Sequence, residues 1–246
     1  MTTAPTDSAA KFTARAAEYE EQSRIALAGY DACHELAACV LAAALGNGDG
    51  GAEAHILIAG AGGPAKEITL AGKLEPGWRF TAVDPSPAML EIAVGKITEA
   101  GMSQRVDVIE GTVEDLPQHA LFDAATLIGV LHHLPGDDAK LDILQSIATR
   151  LKPGAPLILA CNRFAYASQP LLLKAWAERW RQQGANADEV KAKQAKILQG
   201  ADPPHSEQAV AALLAEAGFE APLLFFSSLF WGAWIARKAE IASQAS

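Results

Sequence analysis

Hydrophobic positions divide the chain into a helical start, an alternating middle and a mixed end. Between residues 9 and 45 they recur at helical spacing, through Phe12, Ala16 and Tyr19 and then Leu36, Val40 and Leu41, with a break near Gly29. Residues 1–8 read as a disordered tail, and GNGDGG at 46–51 as a turn-rich linker. Short apolar runs and amphipathic stretches then alternate. HILIAG, RFTAVD, RVDVIEG, FDAATLIG and PLILACN read as strands. PAKEITLAGKL, with Pro64 near its first turn, PAMLEIAVGKITEA and residues 137–151 read as helices between them. Apolar strands separated by amphipathic helices predict a parallel sheet covered on both faces.

The rhythm changes after Asn162. Residues 168–200 predict one or two amphipathic helices rich in Trp, Lys and Arg. SEQAVAALLAEAGF predicts another, with Ser206 as N-cap and Gly218 closing it. PLLFFSSLFWGAWIARK reads as two strands around a turn. The expected organisation is an N-terminal tail and helical cap over 1–50, and one α/β domain over 51–246 with a helical insertion at about 165–203. There is no internal repeat.

Half of the 246 residues are hydrophobic, enough for one sizeable core. A net charge of −9 disfavours non-specific nucleic-acid binding, which needs clustered Lys and Arg. Cys33, Cys39 and Cys161 are an odd number without paired spacing, as expected of reduced thiols. MTTAPTDSAAK has no basic segment leading into an apolar core, and no run approaches the roughly 20 apolar residues of a membrane span. The expectation is a cytoplasmic protein, and a homodimer is compatible with the sequence.

The first strand runs into Gly60-Ala61-Gly62-Gly63-Pro64-Ala65. Glycines let the backbone turn sharply and let a ligand approach, and the following helix is expected to offer N–H groups to it. Asp84 ends the second strand, where a carboxylate can accept hydrogen bonds from ribose hydroxyls. The loop fits both a dinucleotide fingerprint and an adenosyl site, so by itself it does not separate NAD from S-adenosylmethionine (SAM).

Read in order, further segments resemble the class I SAM-dependent methyltransferases. HILIAGAGG is similar to their glycine motif, and AVDPSPAMLEIA to the second motif, containing Asp84, Pro85 and Met89. EGTVEDLP resembles the third motif, which places Thr112 and Val113 beside the adenine. FDAATLIGVLHHLP resembles the fourth strand, with Ile128, and the loop after it; LKPGAPLIL resembles the entry to the fifth. The resemblance covers about 54–160, and the antiparallel ending is also typical of the family. It implies a Rossmann-like α/β fold, a mostly parallel sheet with an antiparallel C-terminal strand. It implies SAM as cofactor, held by Gly60, Ala61, Gly62, Asp84, Pro85, Met89, Thr112, Val113 and Ile128. Both chain ends are similar to the subgroup containing the tRNA wobble-uridine carboxymethyl-transfer enzyme. There N-terminal helices cover the cofactor, which adds Tyr19 and Tyr30.

This sequence departs from the family's pattern at three places. Ile58 stands where many members have an acid that orders the methionine end of the cofactor, Thr112 where many have Asp for the adenine, and Pro64 where the third motif glycine falls. Weaker SAM binding, a modified SAM and a non-catalytic binding protein all accommodate the lost acids. His132 and His133 follow the fourth strand, where one could serve as a base or orient an acceptor, or both could simply fix the loop. Adjacent histidines without a third ligand do not predict a metal site. The expected reaction is methyl transfer to a small molecule. The alternatives are a tRNA-modifying enzyme using SAM or carboxy-SAM, a non-catalytic SAM-binding protein and, more distantly, an NAD oxidoreductase. Asp84→Ala is expected to weaken SAM binding with little effect on thermal stability.

Overall fold

The computed structural model describes residues 19–46, 53–117 and 119–240. The predicted tail, the helical positions Phe12 and Ala16, and most of the 46–51 linker lie outside the described residues. The chain divides into two compact units, Met1–Asp115 and Leu116–Ser246.

In the first unit, α1 (Tyr19–Ala26) and α2 (Tyr30–Leu45) meet at 88°. Gly29 makes the break with a φ of 85°, a conformation that costs glycine little. Strand β1 (His55–Ala59) is followed by α3 (Lys66–Leu74), β2 (Arg79–Asp84), α4 (Pro87–Glu99) and β3 (Val106–Glu110). β1 pairs with β2, and β2 with β3, both parallel. Ile56, Leu57, Ile58, Phe80 and Ala82 are buried on these strands, with Ile68 of α3 and Trp78 beside them. Strand β3 is at the sheet edge and carries mostly exposed or half-buried residues.

The second unit begins with β4 (Ala124–Ile128), a 3-10 turn at Leu131–His133, α5 (Gly136–Thr149) and β5 (Pro156–Asn162). Every residue of β4 and β5 is buried, so these strands are enclosed on both faces rather than alternating. Helices α6 (Pro170–Gln182), α7 (Ala187–Gly200) and α8 (Glu207–Glu216) precede β6 (Leu223–Ser228) and β7 (Trp231–Arg237). The break within 168–200 has a local cause: Asn186 accepts from the N–H groups of Asp188 and Glu189, while Glu189 bonds back to Asn186 N, a complete capping box opening α7. Ser206 caps α8 through Ala209 N, as its sequence predicts. β5 runs parallel to β4, and β7 runs antiparallel to both β5 and β6.

The strand order is β3-β2-β1-β4-β5-β7-β6, a seven-stranded, mostly parallel sheet with one antiparallel strand near the C-terminus. This is the Rossmann-like arrangement expected from the sequence. No single described helix is long and apolar enough to cross a membrane.

Candidate active site

In the first unit the site is built on the loop between β1 and α3. The N–H groups of Gly60 and Ala61 both donate to Val83 O, at 2.9 and 3.0 Å. Gly62 N donates to Asp84 Oδ2 at 3.0 Å, and Gly63 N to Met89 O at 3.0 Å. All four amides of the glycine loop are therefore engaged within the protein. These bonds concern the loop alone; the expectation that the following helix offers N–H groups to a ligand falls on the first turn of α3. The loop is also longer than expected. Ala65 adopts the left-handed region at φ 50°, so α3 starts at Lys66 rather than beside Pro64.

Asp84 serves this loop and the next turn together. Its Oδ1 accepts from Ser86 N at 2.8 Å, while Oδ2 holds Gly62. Ser86 precedes α4 without capping it through its side chain, and its own N–H is held by Asp84. A carboxylate offers about four acceptor positions, and two remain for ligand hydroxyls.

The cradle is narrow. A Cβ at Gly62 would stand 2.5 Å from Met89 Cβ and 2.7 Å from Asp84 Oδ2. Met89 is half-buried, and Pro85 is exposed on the turn. Tyr19 lies over the loop, with Cε1 3.1 Å from where a Gly63 Cβ would be. Burial raises the Tyr19 hydroxyl pKa, and the charges of Glu67 and Asp84 add to the effect. Tyr30 is buried, with Lys66 Nζ 5.9 Å and Arg24 Cζ 6.0 Å from its ring centre. Burial also raises the pKa of this phenol.

Sequence reasoning missed the charges around these tyrosines. Lys66 Nζ contacts Glu20 at 2.8 Å and Asp31 at 3.0 Å; Arg24 contacts the same carboxylates at 2.6 and 2.7 Å. The Arg24 hydrogen bond depresses the pKa of Asp31 to about 2. This network joins α1 and α2 to the first turn of α3. The signal was present in Glu20-x3-Arg24, an i,i+4 pair, but Lys66 is distant in sequence.

At the third motif, Thr112 N and Oγ1 both donate to Asp115 Oδ2, at 2.7 and 3.0 Å. The Thr112 hydroxyl keeps its lone pairs for accepting, and a carboxylate still stands beside it despite the absent acid. Val113 is buried next to it, and Ile58 is buried in β1.

The second unit carries Ile128, His132 and His133. Ile128 ends β4 and is buried. His133 is exposed, whereas His132 is buried and its pKa is pushed down to about 3 by desolvation and by His133, so its imidazole is neutral near pH 7. The two rings are 4.2 Å apart. Asp202 fixes the peptide: its N–H donates to His132 O at 2.8 Å, and its Oδ2 accepts from Gly136 N and from buried Lys140. Cys161 is wholly buried, and burial lifts its thiol pKa to about 12. Among the described residues, no three His, Cys, Asp or Glu side chains gather in a way that could hold a metal ion.

Residues 56–154 match the family model of a methyltransferase domain. Over these residues the chain is similar to the class I SAM-dependent methyltransferases. It is 34% identical over 111 residues to a ubiquinone biosynthesis O-methyltransferase of Xanthomonas axonopodis pv. citri, covering 44% of this chain and 43% of that protein. It is 29% identical over 170 residues to a carboxy-S-adenosyl-L-methionine synthase of Klebsiella pneumoniae, covering 67% and 66% of the two chains. It resembles in fold an O-methyltransferase family 2 protein of Planctomyces limnophilus, solved in complex with apigenin. There the TM-score is 0.63 at 14% identity, covering 96% of this chain and 63% of the other. The chain spans about half the length of several curated relatives it matches.

Proposed function

We propose that the protein is a SAM-dependent methyltransferase acting on a small-molecule acceptor. The observation that carries this reading is the state of the β1–α3 loop: its amides are engaged internally, while Asp84 keeps acceptor positions at the end of β2. That arrangement suits a cofactor recognised through its ribose hydroxyls. The cradle at Gly62, which a Cβ would fill, and Tyr19 above Gly63 suit close approach of the same ligand. In this reading Gly60, Ala61, Gly62, Asp84, Pro85 and Met89 hold the ribose and methionine side, with Thr112 and Val113 at the adenine. Tyr19 and Tyr30 belong to a helical cap over the loop.

When bound, SAM supplies an electrophilic methyl group, and the protein's task is orientation and exclusion of water. His132 is neutral and enclosed, which suits positioning an acceptor by hydrogen bonding. His133 reaches solvent and is the member of the pair suited to passing a proton outward. The acidic composition and the O-methyltransferase relative support a small acceptor over a nucleic acid.

The similarity to a carboxy-SAM synthase supports a second reading, in which the cofactor is a carboxylated SAM and the acceptor a tRNA. Mass spectrometry of the ligand co-purified with the protein, followed by incubation with methyl-labelled SAM and an acceptor panel, separates these readings. SAM or its demethylated product, S-adenosylhomocysteine (SAH), with label transferred to a small molecule supports the first. Carboxy-SAM with modified tRNA supports the second. Tight SAM binding without turnover on either panel marks a non-catalytic binding protein.

A further inference from the structure

The buried side-chain polar atoms of the second unit that lack a hydrogen-bond partner include His132 Nδ1, Trp231 Nε1 and one atom of Asn162. Buried polar groups are nearly always bonded, so a cluster of exceptions calls for an explanation. The three residues are neighbours. Asn162 ends β5 and Trp231 begins β7, directly opposite each other in the antiparallel register, where side chains share one face of the sheet. The His132 ring meets the Trp231 ring edge-on, with centroids 5.1 Å apart. The Asn162 amide bonds Tyr166 Oη at 2.7 Å; whichever way it is turned, its other polar atom is left over. This is the carboxyl end of β4 and β5, where open α/β sheets place ligands.

The surroundings are aromatic and held in place. The Tyr166 ring centre lies 5.0 Å from that of Phe230 and 5.8 Å from that of Trp176. Phe230 and Trp231 leave a tight turn in which Leu229 takes the left-handed region at φ 49°, unfavourable for a branched side chain. Arg163 braces that turn: its backbone N–H donates to Phe230 O, while its guanidinium is paired with Glu207. Strain kept at a ligand edge commonly accompanies function.

We propose that His132, Asn162 and Trp231 form the acceptor subsite, and that it takes an uncharged hydroxyl on a flat ring. The proposal rests on the methyltransferase reading above. A hydroxyl accepts from the Trp231 indole N–H while donating to the imidazole or amide, which satisfies groups now unpartnered. The partly open Trp231 indole offers ring surface, while Tyr166 and Phe230 are buried. The charge of Arg163 is already paired with Glu207, which disfavours a carboxylate there. The phenol of Tyr166, raised by burial to about 12, and the neutral His132 agree with that polarity. Trp231 alone of the three is partly open to solvent, so a ligand enters past its indole.

The test titrates catechol, and separately 3,4-dihydroxybenzoate, into SAH-saturated protein while following indole N–H resonances by NMR. The Trp231 signal is assigned by its loss in Trp231→Phe. Catechol should shift that signal. Trp231→Phe, followed through another perturbed resonance, and Asn162→Ala should each weaken catechol about tenfold, the loss of one hydrogen bond, with SAH affinity unchanged. The charged analogue should bind at least tenfold more weakly. Normal SAH binding with no catechol shift, or wild-type catechol affinity in both variants, overturns this subsite while leaving the cofactor reading intact. Failure of SAH to bind the folded protein overturns both.

Discussion

Replacing Asp84 by Ala removes an acceptor from two backbone amides at once. Gly62 N and Ser86 N, at 3.0 and 2.8 Å, lose a partly buried carboxylate. Hydrogen bonds to charged groups contribute about 1.5–3 kcal/mol each when enclosed. Partial exposure of Asp84 reduces this, to about 2–4 kcal/mol for the pair. In a chain of this size that corresponds to a fall in Tm of roughly 5–15 °C. The expectation from sequence, that stability would barely change, is therefore revised by the structure: the residue placed to meet ribose also holds the loop. Thermal unfolding of the ligand-free variant reads the first effect. Calorimetry with SAH reads the second, a loss on the order of 1.5–3 kcal/mol for the missing ribose contacts. An unchanged Tm would refute the reasoning about the loop, whatever happened to binding.

The remaining predictions concern His132, Lys66 and Gly62. Burial lowers the His132 pKa from 6.5 to about 3, so its neutral form stabilises the fold fully above the unfolded value, and that contribution declines as pH falls from 6.5 toward 3. At pH 5 about 2 kcal/mol should be lost relative to neutral pH, and His132→Asn should remove that share of the slope in urea unfolding; equal slopes would contradict it. Lys66→Met should speed hydrogen exchange in α1 only severalfold, because partly exposed ion pairs contribute under about 1 kcal/mol. Unchanged exchange would show that the network does not hold the helix. Gly62→Ala should cost about 1–3 kcal/mol through the collision with Met89 and Asp84, and a wild-type Tm would show that the loop yields.

Local pattern carried most of the fold. The mostly apolar runs of β1, β4 and β5, the Gly29 break and the Ser206 cap depend on neighbours in sequence, and each was legible there. The buried face of α6, with Trp176 and Trp180, followed from helical spacing in the same way. The start of α3 was misplaced because Ala65 takes a glycine-like conformation that its side chain does not advertise. Gly60, Gly62, Asp84 and Met89 do gather at one loop. The hydrogen bonds that engage the loop's amides were not legible, since they depend on how β2 and α4 return to it. Asn162 and Trp231 are far apart in the chain and meet only through the β5–β7 register. Their juxtaposition has no local signature.

Cofactor choice is the central claim, and calorimetry of the purified, ligand-stripped protein tests it most directly. SAM and SAH should each bind at one site per chain, NAD should give no heat of binding, and Asp84→Asn should weaken both adenosyl ligands. NAD binding with no response to SAM or SAH would contradict the account.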